Sequence, residues 1–336
     1  MLRDPVMPDP QAVAGAAPPY AEIWDALNSR RVVLFLGAGA SIASRPEDYR
    51  WTIENPIWPP SGAELSRHLS SQVYPNGETD SDLARAAQYY EVRKARAGLR
   101  NTLRRVFSRR FPQGPLHDLI ATVPAKLLVI TTNYDTLIED VFEARGRPFD
   151  LLVQPFDGSP LSPGGNGLDP LAHPAVLYHR QAGESDLRPV FANGIEALHI
   201  DVESRDVVYK LHGTVDIRES ARDDYCVTEN DYAVALQRLG SSVALPMFLK
   251  AALAQRRFLF LGYSLRDWTY RLMWHQVYND RDCYRSRAFQ SWSIQRSVSP
   301  IERDLWLKRD VLIFDMPMNE FVAGMEAGRP PHDPLT

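Results

Sequence analysis

Residues 31–44, RVVLFLGAGASIAS, constrain this chain more than any other stretch. Five consecutive apolar residues, Val32 to Leu36, fit a fully buried strand. Gly37, Ala38, Gly39, Ala40 and Ser41 follow and predict a tight turn into a helix. Small residues let the backbone approach a diphosphate, and the free amides and positive dipole end of a helix face an anion. Ile42 stands where a third glycine would complete G-x-G-x-x-G, so an ordinary tight turn is the competing reading.

The 336 residues, 44% of them hydrophobic, suffice for a large core, as one elaborated domain or as a domain with an inserted lobe. No run approaches the roughly 20 apolar residues of a membrane span, and residues 1–20 lack the pattern of a signal peptide, so a cytoplasmic protein without membrane contact is expected. Cys226 and Cys283 cannot form a four-thiolate zinc site and read as bystanders. The net charge of -4 argues against global attraction to nucleic acid. Locally, Arg93, Lys94, Arg96, Arg100, Arg104, Arg105, Arg109 and Arg110 form a basic segment with no acid among them. A solvated helix face or contact with an acidic partner is favoured; nucleic-acid contact is possible but not favoured, because aromatics for base stacking are scarce there.

Residues 1–30 read as a Pro- and Ala-rich arm followed by a short amphipathic helix. Residues 45–60 are irregular, with Trp51 and Trp58, and predict either a loop that covers a ligand or a surface loop anchored by its tryptophans. Ser61 should cap a helix over 62–73, and a second helical region runs over 82–110; together they predict a helical insertion at about 61–120. An irregular, Gly- and Pro-rich insertion spans about 157–197, Asp267 starts an expected helix to Tyr278, and residues 321–336 read as a polar tail.

Four predicted strands end in polar or small residues. The first ends in the turn at Gly37. The second, 125–131, ends in Thr132, Asn133, Tyr134 and Asp135, whose side chains either face a ligand crevice or cap the next helix. The third, 207–211, ends in His212 and Gly213, a setting suited to proton transfer, although a lone histidine is also commonly structural. The fourth, 258–261, ends in Gly262, Tyr263 and Ser264. Strands alternating with helices predict an α/β fold, a Rossmann-like, doubly wound and mostly parallel sheet, within residues 31–320.

Taken in order, GAGAS, TTNYD, KLHG and FLGYS resemble the sirtuin-like family of NAD-consuming enzymes. The resemblance implies that Gly37, Ala38, Gly39 and Ser41 hold the diphosphate of NAD, that Asn133 and Asp135 sit at the nicotinamide and its ribose, and that His212 is the general base. Gly262 and Ser264 would meet the adenosine side. Asp48 and Arg50 are further candidates, from a segment similar to the family's P-x-F-R but out of step by a residue. Asn133 and His212 are thus the expected catalytic pair. The two C-x-x-C pairs of protein-deacylating sirtuins are missing, so no zinc or other metal is expected. That combination resembles bacterial antiphage-defence effectors that hydrolyse NAD, and implies NAD as substrate, with a homo-oligomer, a sensor or a HerA-like ATPase as partner. An NAD-dependent deacylase or ADP-ribosyltransferase, or a noncatalytic subunit that binds NAD or ADP-ribose, are the alternatives.

Overall fold

The computed structural model describes residues 16–155, 177–191, 198, 200–215, 223–239, 245–265 and 290–330. Helix α1 (Tyr20–Asn28) buries Ile23, Trp24 and Leu27 and leads into β1 (Val32–Leu36), whose five residues are all buried. The short α2 (Ala38–Ser41), α3 (Gly62–Ser71), α4 (Leu83–Phe107) and α5 (Pro115–Ala121) precede β2 (Leu128–Thr131). Then come α6 (Leu137–Ala144), β3 (Phe149–Val153), β4 (Leu177–Arg180), β5 (Arg188–Val190) and β6 (Asp206–Lys210). A small hairpin pairs β7 (Gly213–Thr214) with β8 (Asp224–Tyr225). The rest is α7 (Glu229–Leu239), α8 (Met247–Gln255), β9 (Arg257–Leu261), β10 (Ser291–Gln295), α9 (Pro300–Leu307), β11 (Val311–Asp315) and α10 (Met318–Ala327).

Among the described residues the main sheet has nine strands in the order β11-β10-β9-β1-β2-β6-β3-β4-β5. All neighbours are parallel except β3 with β4 and β4 with β5. From β1 the chain adds β2, passes to β3, β4 and β5 at the far edge and returns to place β6 between β2 and β3, whereas its later strands β9, β10 and β11 lie on the other side of β1. That reversal opens a crevice at the carboxyl ends of β1 and β9, the place where doubly wound sheets bind ligands. Side chains of β1 alternate between two cores, as the period of a strand requires. Val32, Leu34 and Leu36 pack with Trp24, Leu116 and Phe142, while Val33 and Phe35 face Leu249, Leu253 and Trp306.

The helical insertion is shorter than expected. Helices α3 and α4 form a lobe with its own core, including Leu65, Leu69, Leu99 and Leu103. Helix α5 instead packs Leu116 and Ile120 into the sheet core. Strands β4 and β5 give order to residues 177–190 of the expected irregular insertion; residues 156–176 lie outside the described residues, as do the expected helix from Asp267 to Tyr278 and Cys283.

The polar tail also gives way to structure, because Met318, Phe321, Val322 and Met325 recur at helical spacing and are buried. They pack on α1, where Trp24 Nε1 donates to Met325 O at 2.6 Å. No helix among the described residues is long and apolar enough to cross a membrane.

Candidate functional site

Strand register builds the site. Leu36 lies beside Thr131 and Leu261, and Thr131 lies beside Lys210. The residues that follow, Gly37, Thr132, Gly262 and Leu211, therefore leave the sheet in one row.

At the crevice the first and fourth strand ends are fastened backbone to backbone. Gly37 N donates to Leu261 O at 3.1 Å and Gly39 N to Gly262 O at 2.9 Å. A Cβ on Gly39 would stand 2.7 Å from Gly262 Cα. Gly262 has φ +59, and a Cβ there would lie 2.3 Å from Ala40 N. Only glycine tolerates both the left-handed backbone and this approach. With Ala40 N donating to Gly37 O, the amides of Gly37, Gly39 and Ala40 are all engaged inside the corner.

Ser41 is the hub of the next layer. Asn133 Nδ2 donates to Ser41 Oγ at 2.8 Å and to Gly37 O at 2.9 Å, and Ser41 Oγ donates to Asp135 Oδ2 at 2.7 Å. Asp135 Oδ1 accepts from Leu137 N at 3.2 Å, so Asp135 caps α6 as well as joining the site. Asn133 does not cap; it braces the turn. Beneath them lies an ion pair that sequence reasoning missed. Lys210, fully buried, donates from Nζ to Asp135 O at 2.6 Å and to Glu139 Oε1 at 2.8 Å. The available signal was a lysine inside the otherwise apolar run VVYKL.

His212 is 4% exposed. Its carbonyl accepts from Cys226 N at 3.0 Å, and its ring meets the edge of Tyr232 with centroids 5.5 Å apart. Gly213 (φ +80) permits the bend behind it, since a Cβ there would fall 2.0 Å from Asp224 O. Tyr134 OH donates to Cys226 O at 2.7 Å, which ties the second strand end to the segment beside His212.

Ala38, Ser41, Asn133, Asp135, His212 and Tyr232 line one cavity of about 160 Å³. Its other wall comes from the lobe and the loop before it, through Pro59, Pro60, Leu65, Leu83 and Phe107. A larger cleft of about 530 Å³ contains Gly39, Arg45, Gly262, Ser264 and Ser297. Residues 38–42 stand between the two, with Ala38 and Ser41 on one and Gly39 and Ile42 on the other.

Asp48 and Arg50 line neither space. Both are exposed, and Arg50 Nη1 donates to its own loop at Glu47 O and Tyr49 O. Two basic residues, Arg45 and Arg296, line the larger cleft, and Arg45 is held bidentate by Glu64 at 2.7 and 2.8 Å. Burial raises the Glu64 carboxyl, but Arg45 and the capping box with Ser61 outweigh it and bring its pKa down to about 2. Trp58 meets Tyr49 and Trp51 meets His68 edge to face, so residues 45–60 are an aromatically anchored loop whose prolines reach the smaller cavity. Among the described residues, no group of three or more His, Cys, Asp and Glu is disposed to hold a metal ion.

A glycine-fastened corner at the switch point of a mostly parallel sheet, with cavities on either side of one turn, defines a Rossmann-like α/β domain, a class that places its ligands at this crevice. A SIR2-like domain model matches residues 127–312, more than half the chain, and the chain belongs to that family. SIR2-like domains use NAD. The match begins after the glycine turn, so the geometry of residues 37–41 supports the reading independently. The chain is also 23% identical over 284 residues to "Defense-associated sirtuin 2" of Bacillus subtilis. The alignment covers 84% of this chain and 22% of that relative's length.

Proposed function

We propose that this chain hydrolyses NAD to nicotinamide and ADP-ribose and acts in the bacterial cytoplasm as an antiphage-defence effector that depletes NAD. The observation that carries the reading is the shared cavity of Asn133 and His212, beside the glycine corner and walled by the lobe. The dinucleotide would lie across the turn, its nicotinamide end in the smaller cavity and its adenosine end in the larger cleft near Gly262 and Ser264. The bond from the ribose C1′ to the nicotinamide nitrogen breaks, and its electron pair leaves with the ring as neutral nicotinamide. That departure from an oxocarbenium-like centre needs little acid assistance. Water forms the new C1′–O bond, and its proton passes to His212. Asn133 orients the water or the ribose hydroxyl, and Asp135 and Ser41 hold Asn133 in place.

Leu65, Leu83 and Phe107 of the lobe wall the cavity that His212 lines, and a cavity of about 160 Å³ closed in this way favours water over a peptide acceptor. Assembly into an oligomer, or with a sensor or HerA-like ATPase, enters the proposal through the relationship to defence sirtuins.

Purified protein with NAD should release nicotinamide without an acetylated peptide, and His212→Ala and Asn133→Ala should abolish release while leaving melting temperature within a few degrees. In phage-challenged cells the wild type, but not His212→Ala, should lower total NAD. Release that requires the peptide would point to deacylation. A His212→Ala protein as active as wild type would refute the assignment.

A further inference from the structure

Part of the lobe's basic segment is turned inward: Arg96, Arg100 and Arg104 are partly buried, while Arg93, Lys94, Arg105, Arg109 and Arg110 are exposed. Helix α4 breaks at Ala95, where φ is 61 and ψ 165, so Arg96 opens a new helical segment and departs from the face that exposes Arg93 and Lys94. Arg96 Nη1 donates to Asp231 Oδ2 and to Glu91 Oε2, each at 2.9 Å, and Nη2 donates to Tyr225 O at 2.8 Å. The same Asp231 oxygen accepts from Val227 N at 2.9 Å and Thr228 N at 2.8 Å. One carboxylate thus joins the lobe to the turn that opens α7. Eight residues along α4, Arg104 bonds Asp223 at 2.7 Å, and that carboxylate is 3% exposed.

The strapped segment is the one that surrounds His212. Tyr225 pairs with Gly213 across the hairpin, Cys226 N holds the His212 carbonyl, and Tyr232, next to Asp231, sets its ring against the imidazole. We infer that Arg96 is a positioning residue: by gripping Asp231 and the Tyr225 carbonyl together, it seats Tyr232 against His212, so the lobe governs how the imidazole is presented to the cavity. A planar guanidinium suits the task because one group satisfies three acceptors in a fixed fork, which an ammonium on a flexible stem does not reproduce.

The test reads the imidazole directly. The Cε1–H resonance of His212, assigned with His212→Asn, is recorded in wild type, Arg96→Gln, Tyr232→Leu and Arg93→Gln. Arg96→Gln should move it in the direction set by Tyr232→Leu, and Arg93→Gln should leave it unchanged. A His212 resonance unmoved in folded Arg96→Gln overturns the inference. If Arg96→Gln does not fold, Arg96→Lys keeps the charge without the fork and should give a smaller shift; no shift there is equally fatal.

A second arm rests on the NAD-hydrolysis reading. Arg96→Gln should lower kcat by roughly tenfold to a hundredfold, the scale of a slightly misplaced catalytic group, with KM within about twofold. Unchanged turnover per folded molecule would assign Arg96 to stability alone. Normal turnover by His212→Ala would defeat the functional reading while leaving the resonance arm standing.

Discussion

The two walls of the cleft are held by different forces. On the sheet side, Gly37, Gly39 and Gly262 meet backbone to backbone, and beneath the neighbouring loop Lys210 and Glu139 pair out of contact with solvent. On the lobe side, α4 is fastened through arginines that keep partial exposure, 23% for Arg96 and 29% for Arg104, and α3 through Arg45 and Glu64. A buried wall of this kind is the less sensitive to salt, whereas partly exposed ion pairs are more open to screening and to exchange with water. The sheet side is therefore the fixed wall of the cleft, and the lobe side is the one that can be adjusted.

The largest expected effect lies on the sheet side. Lys210→Met strips the partner from Glu139, which is 5% exposed, and should cost about 4 kcal/mol, as for other buried pairs left with one charge. Chemical denaturation should show the loss in the whole molecule rather than in the lobe alone; a loss below about 1 kcal/mol would erase the contrast between the walls.

Gly262→Ala comes next. It puts a Cβ 2.3 Å from Ala40 N at a left-handed residue, and about 3 kcal/mol is expected, with weakened nucleotide binding even where the protein folds. Calorimetric titration with ADP-ribose checks the second half.

Acid should separate the two sides. Burial pushes the His117 imidazole, on α5, from 6.5 down to about 4, so the native state binds fewer protons than the unfolded chain between those values. Stability on that account falls as pH drops from 6.5 to 4, by roughly 3 kcal/mol at most. Glu64 follows the pattern of a carboxylate held low: its contribution is full above 4.5 and disappears only as pH approaches 2. Between pH 6.5 and 4.5 His117→Gln should flatten the stability curve while Glu64→Gln leaves its slope unchanged, measured by urea denaturation across pH.

The smallest change should be a gain. Ala95 holds a positive φ that glycine adopts without strain, so Ala95→Gly should stabilise by about 1 kcal/mol. A loss instead would mean that the break before Arg96 is not strained, and the adjustable side would lose its weakest point.

Much of this architecture was legible along the chain because it is local. The run Val32–Leu36, the glycine turn, the Ser61 cap with Glu64 three residues on, and the strand before His212 each carry their own signal. What escaped depends on distant partners. Strands β4 and β5 are short and take their order from pairing, β4 on the edge of β3 and β5 on β4. Helix α10 was obscured by the prolines that follow it, although its apolar spacing was readable. Asp48 and Arg50 were sought by similarity of sequence alone, yet they stay on the outside of their loop while Arg45 faces the larger cleft. The Lys210–Glu139 pair joins residues 71 positions apart, and no spacing rule reaches that far.

Because Leu36, Thr131, Lys210 and Leu261 are lateral neighbours, residues can be added to the connections between these strands without disturbing the alignment of their ends. Adding a single residue inside β2 would instead turn alternate side chains over and carry Asn133 away from Ser41. A chain built this way can exchange its outer helices for others of different length and still deliver the same chemistry, provided four short stretches keep step.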